Sequence, residues 1–67
     1  MYALVVTRDG SRAGVFDAGS DDANKLGTLP VGTKVEIVKA SEDDDWVLIS
    51  LMGRQGYMLD DNLQFQN

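Results

Sequence analysis

Apolar and polar residues alternate in the middle of the chain, between residues 33 and 38. Val35 and Ile37 fall on one face of this segment, and Lys34 and Glu36 fall on the other. A period of two residues predicts a β-strand that is buried on one side only. The rest of the chain is organised around this strand and the turn that precedes it.

Similar short segments occupy most of the chain and are separated by turn residues. Strands are predicted at residues 2–7, 13–16, 33–38 and 46–51, with shorter pieces at 26–29, 57–58 and 64–66. Turns are expected at residues 8–11, 30–32 and 53–56, and every glycine is interpreted as a turn former. One helical or 3₁₀ turn is predicted over residues 59–63.

No segment has the length and period of a longer helix, so the fold class is all-β. We predict a small barrel of five or six strands with a long polar loop, residues 17–24, near its N-terminal end. A barrel is favoured because a short sheet with open edges would tend to pair with other chains. Long ordered loops in small β domains often carry binding residues.

The 67 residues correspond to one domain, residues 1–67. A domain of this size buries only about 60% of the surface of its unfolded chain, so a deep active site is not expected. The chain contains neither cysteine nor histidine, which removes a thiolate nucleophile and the commonest general base. We therefore expect no catalysis and no cofactor.

Eleven acidic residues against six basic ones give a net charge of −5. The acids cluster at residues 21–22 and 42–45, whereas the bases are scattered. Nucleic acid and anionic membranes attract clustered Lys and Arg, so neither is an expected partner. The spacing of residues 42–45 does not match a calcium loop, and no metal site is expected.

The motifs along the chain occur in the order typical of the bacterial SH3-like (SH3b) domain. They are Leu26-Gly27-Thr28-Leu29, Gly32-Thr33-Lys34-Val35-Glu36-Ile37, Trp46 with Ile49, Gly53, Gly56-Tyr57-Met58 and Leu63. The resemblance covers nearly the whole chain, although the Arg and Pro that often precede the long loop are missing. It implies an SH3-like barrel that serves as a non-catalytic binding module for wall peptides or protein segments.

Three aromatic residues and two acids form the candidate ligand-binding site. Parity along the strand places Trp46 on the face opposite the core, where Phe16 and Tyr57 would flank it in a shallow groove. Asp21 and Asp22, in the long loop, would select a basic group. The alternatives are structural: a core position for Phe16, outer packing for Trp46 and Tyr57, and a loop that only faces water.

The expected function is recognition of a peptide or a cell-wall (peptidoglycan) peptide through this aromatic and acidic groove. The expected partner is a peptide, a muropeptide or a protein, bound by a monomer or by a domain of a larger protein. The alternative is a structural or assembly module of a larger bacterial or phage protein, with no separate ligand. As part of a longer secreted protein the chain would lie at the cell wall or outside the cell, and alone it would be cytoplasmic.

Overall fold

Seven antiparallel β-strands and one 3₁₀ turn form the protein in the computed structural model, which describes residues 1–40 and 45–66. In chain order the strands are β1 (Tyr2–Val5), β2 (Ala13–Phe16), β3 (Lys25–Leu29), β4 (Lys34–Ala40), β5 (Trp46–Leu51), β6 (Arg54–Leu59) and β7 (Leu63–Gln66). The 3₁₀ turn, Asp60–Asn62, lies within the segment where the sequence predicted a helical or 3₁₀ turn. The all-β class is confirmed, with seven strands where five or six were expected.

The strands form one sheet in the order β3-β2-β6-β5-β4-β1-β7. The molecule measures 25 × 24 × 24 Å, so the sheet is strongly curved and wraps around its own inner face. This curvature produces a small barrel. β3 and β7 are the two outer strands of the order, and each is paired with a single neighbour among the described residues.

The core is made of apolar side chains that point to the inner face of the sheet. Its buried members are Ala3, Val5, Ala13, Val35, Val47, Ile49, Met58 and Leu63. The alternation predicted for residues 33–38 and 46–51 is confirmed, because Val35, Val47 and Ile49 are buried while Lys34 and Glu36 are exposed. The period-two pattern is therefore what fixes the inner face of the central strands.

The connection between β5 and β6 is shorter than the sequence indicated. The two strands pair from Trp46↔Leu59 to Leu51↔Arg54, which leaves only Met52 and Gly53 in the turn. Both turn residues have positive φ, 53° and 81°, as a type I′ hairpin turn requires. The predicted turn over residues 53–56 is therefore wrong, and Gly56 lies inside β6.

Gly56 has a packing role and does not form a turn. It is buried, and a Cβ placed on it would overlap the Cγ1 methyl of Val15 in β2. The absence of a side chain lets β2 cross closely over β6, which it joins through the pair Phe16↔Tyr57. The expectation that every glycine forms a turn fails here because the contact is between distant segments.

The long loop predicted at residues 17–24 is confirmed as the connection between β2 and β3. Its ends are joined by hydrogen bonds: the Asp17 N–H donates to the Asn24 carbonyl (3.0 Å), and the Asn24 N–H donates to Asp17 Oδ1 (3.0 Å). Within the loop, the Ala23 N–H donates to the Ser20 carbonyl (3.2 Å). The loop is thus an ordered extension of the β2–β3 hairpin.

No helix in the described residues is long and apolar enough to cross a membrane.

Candidate ligand-binding site

Phe16, Trp46 and Tyr57 come together on the outside of the barrel, as the sequence predicted. Phe16 ends β2 and lies opposite Tyr57 in the β2–β6 pair. Tyr57 in turn lies opposite Leu48, two residues from Trp46 on β5. The Phe16 and Trp46 rings meet edge to face, with centroids 5.3 Å apart and planes at 78°. We call these three residues the aromatic surface.

The aromatic surface lies outside the hydrophobic core. All three rings are half-buried, and none belongs to the buried cluster. Trp46 lies on the face opposite the core, as parity predicts, since its neighbour Val47 points inward and is 2% exposed. Phe16 does not lie in the core, which was the alternative for this residue. Its ring contacts Trp46 instead.

The long loop crosses the aromatic surface at Gly19. A Cβ on Gly19 would lie 3.1 Å from Trp46 Cβ and 3.3 Å from Tyr57 Cδ2, closer than ordinary carbon contacts. The loop backbone is therefore seated directly on two of the three rings. The sequence did not predict this role for Gly19, because the path of a loop without periodicity cannot be read from its residues.

Asp21 and Asp22 occupy exposed positions in the turn of the same loop. They follow Gly19 closely in the chain, so the loop that touches the rings also carries these carboxylates. Neither side chain forms a hydrogen bond or an ion pair with another described residue. Both acids are accordingly open to solvent on the loop that contacts the aromatic surface at Gly19.

Lys25 adds a positive charge beside the rings that the sequence pattern does not predict. It is paired with Phe16 across the β2–β3 hairpin, and its Nζ lies 5.9 Å from the centroid of the Phe16 ring. That distance is at the outer limit of a cation–π contact. The hairpin register, which was not known from the sequence, is what brings Lys25 to this ring.

A second concavity lies on the other side of the β2–β3 hairpin, between β3 and the β5–β6 hairpin. Its volume is about 560 Å³. Its lining residues are Val15, Leu26, Gly27, Thr28, Leu29, Ile49, Leu51, Arg54, Gln55 and Gly56. We call this concavity the β3 cleft. The strand pattern of residues 26–29 does not reveal this cleft, because its walls come from separate hairpins.

The acidic residues 42–44 lie outside the described residues. Within the part of the chain that is described, no three His, Cys, Asp or Glu side chains are grouped so that they could hold a metal ion.

The sequence model of the bacterial SH3 domain matches residues 7–64. Because this match covers most of the chain, the protein belongs to the bacterial SH3 domain family, and its curved sheet is an SH3-like barrel. Domains of this family are typically non-catalytic binding modules and are commonly associated with the cell wall. A comparison with curated proteins finds no match to this chain.

Proposed function

We propose that this domain is a non-catalytic module that binds a peptide, in particular a cell-wall peptide with a free amine, at the aromatic surface. The observation that supports this proposal is the clustering of Phe16, Trp46 and Tyr57 outside the core. Three aromatic rings grouped outside a small core provide a preformed apolar platform for a ligand.

The charge around the aromatic surface favours a cationic ligand. Asp21 and Asp22 are exposed on the loop that covers part of the rings, and the whole chain carries a net charge of −5. Opposite charge on the ligand raises the rate of encounter and sets its orientation. A polyanionic wall polymer would be repelled by the same carboxylates.

Lys25 disfavours a cationic ligand at one point of the aromatic surface, the Phe16 ring. Its ammonium group already lies beside the Phe16 ring, so a ligand amine that approached the same ring would meet a like charge. Removal of this charge in Lys25→Gln should strengthen binding of a basic peptide. A Lys39→Gln variant is the matched control, because it makes the same charge change on an exposed residue of β4.

Calorimetric titration with two ligands tests the proposal: a muropeptide with a free amine, and a capped tetrapeptide of alternating alanine and lysine. Trp46→Ala should weaken binding by roughly tenfold or more, since central aromatic anchors contribute about 2 kcal/mol or more. Phe65→Ala removes another exposed aromatic side chain, on β7, and should leave binding unchanged. Circular dichroism checks that both variants remain folded. Equal affinities for the two variants would reject the aromatic surface as the binding site.

The alternative, a structural or assembly module, is favoured by one other feature. Met1, Tyr2 and Met52 are exposed, Met52 at 94%, and all three line one shallow cleft beside β4. Such a surface suits contact with a neighbouring domain. The same titration separates the two functions, because a structural module would bind neither ligand.

A further inference from the structure

The β3 cleft is distinct from the aromatic surface because the two use opposite faces of the β2–β3 hairpin. On one face, a Cβ on Gly14 would lie 3.0 Å from the Phe16 ring. On the other face, Val15 contacts Gly56 and lines the cleft. A ligand in the cleft would therefore lie against different side chains from a ligand on the aromatic rings.

The cleft runs beside a strand that has one free edge. Within residues 1–40 and 45–66, β3 is hydrogen bonded to β2 alone and stands at the end of the strand order. An outer strand presents backbone N–H and C=O groups that an extended peptide can pair with. Leu26, which lines the cleft from β3, is 60% exposed. The combination of a free edge and an adjoining apolar cleft fits an extended chain.

The charge of the cleft is opposite to that of the protein as a whole. None of the described residues that line it is acidic, although the chain has eleven acids and only six bases. Arg54 lines the cleft, and its side chain has no hydrogen bond or ion pair among the described residues. Arg12 donates to the hydroxyl (2.7 Å) and the carbonyl (3.1 Å) of Thr28, another lining residue. The guanidinium group of Arg54 thus lies at an apolar cleft whose described lining residues include no carboxylate, and the guanidinium group of Arg12 is bound to Thr28, a residue that lines it.

We propose that the β3 cleft binds an extended, acidic segment of a partner protein. The segment pairs with β3 as an added strand, inserts aliphatic side chains from alternate positions into the cleft, and places a carboxylate at Arg54. The cleft volume of about 560 Å³ is within the usual range of ligand sites, about 300–1,000 Å³. This second site selects anionic chains, whereas the aromatic surface favours cationic ones.

The probe for this proposal is a capped hexapeptide of alternating valine and glutamate, titrated while backbone amide shifts are recorded. The amides of Leu26, Thr28 and Gln55 should move, and those of Trp46 and Tyr57 should not. Peptides with lysine in place of glutamate, or serine in place of valine, should bind on the order of tenfold more weakly. Similar affinity for all three peptides would overturn the proposal, as would the absence of shifts at millimolar peptide.

Variants separate this site from the aromatic surface and from self-association. Arg54→Glu should weaken binding of the valine–glutamate peptide by on the order of tenfold, whereas Lys39→Glu, with the same charge change on β4, should not. Trp46→Ala should retain binding, so that a failure of the aromatic site does not affect this test. Equal affinities for Arg54→Glu and Lys39→Glu would overturn the proposal. If the same amides shifted with protein concentration alone, a second copy of the chain would be the occupant and the proposal would be wrong.

Discussion

Phe16 and Trp46 form an edge-to-face pair, with ring centroids 5.3 Å apart, across a strand that separates them. Phe16 ends β2 and Trp46 begins β5, and β6 lies between these two strands in the sheet. The contact therefore ties the β2–β3 hairpin to the central part of the sheet. It links the loop that carries the acids to the strand that carries the tryptophan.

This pair should contribute measurably to stability. Phe16→Leu and Trp46→Leu should each destabilise the fold, and the double variant should lose less than the sum of the two. We expect a coupling energy of about 0.5–1.5 kcal/mol, which is typical of aromatic pairs. Urea unfolding followed by circular dichroism gives the four free energies. Phe16→Leu combined with Phe65→Leu is the control and should be additive within about 0.5 kcal/mol.

The close approach of β2 and β6 at Gly56 should make this glycine hard to replace. Gly56→Ala introduces a methyl group that overlaps Val15 Cγ1 and should cost about 1–3 kcal/mol of unfolding free energy. Val15→Ala removes the overlapping methyl, so the double variant should be more stable than the sum of the single effects predicts. Additive losses would show that the two residues do not meet as described.

Gly27→Ala is the matched control for Gly56→Ala. Gly27 also lies in a strand, but among the described residues other than its two chain neighbours no heavy atom lies within 4 Å of its Cβ position. Its φ is not positive, so alanine is not strained there. The stability of this variant should stay within about 0.5 kcal/mol of the parent.

The contact of the long loop with the Trp46 and Tyr57 side chains can be tested by substitution of Gly19. Its Cβ position is 3.1 Å from Trp46 Cβ, so Gly19→Ala should push the loop outward by a few tenths of an ångström. We expect a loss of roughly 1 kcal/mol and a shift of the Trp46 fluorescence toward longer wavelength, because the indole gains solvent. Gly27→Ala should leave the fluorescence unchanged. An unchanged spectrum in Gly19→Ala would contradict the described path of the loop.

Asp9, in the turn between β1 and β2, should have a pKa below its ordinary value. A hydrogen bond from the Ser11 side chain lowers its pKa most, and the Ser11 backbone N–H, 3.0 Å from Oδ1, lowers it further. Because the folded pKa lies below the ordinary value of about 3.8, the ionised form stabilises the fold above that pH. This contribution is lost as the pH falls through the lowered pKa.

Carbon-13 shifts of the Asp9 carboxyl group, followed against pH, measure this effect. Ser11→Ala removes the largest cause, so the midpoint should rise toward the ordinary value while the backbone hydrogen bond keeps it somewhat lower. Ser20→Ala, in the other loop, should leave the Asp9 midpoint where it was. The same midpoint in Ser11→Ala and the parent would show that the side chain has no role.

The fold could be predicted because its signals are local. The alternation around Val35 and Ile37, and around Val47 and Ile49, directly reports which side of each strand is buried. The 3₁₀ turn and the long loop were also recognisable from their own residues. Gly56 was misinterpreted because its role depends on Val15, forty-one positions earlier in the chain.

The candidate site was only partly predictable. Parity indicated that Trp46 points away from the core, and the pairing of β2 with β6 then placed Phe16 beside Tyr57. The approach of Gly19 and Lys25 to these rings depends on a loop path and a hairpin register that no single segment encodes. The β3 cleft arises between two hairpins, so neither hairpin sequence alone could reveal it.

The most direct test of the central claim is an amide-shift titration of the parent domain with the free-amine muropeptide and the alanine–lysine peptide. If the aromatic surface is the binding site, the amides of Phe16, Asp21, Trp46 and Tyr57 should move together along one saturating curve. Amides of β7 should stay in place. If neither ligand moves these residues at millimolar concentration, the aromatic surface is not a binding site for cationic peptides.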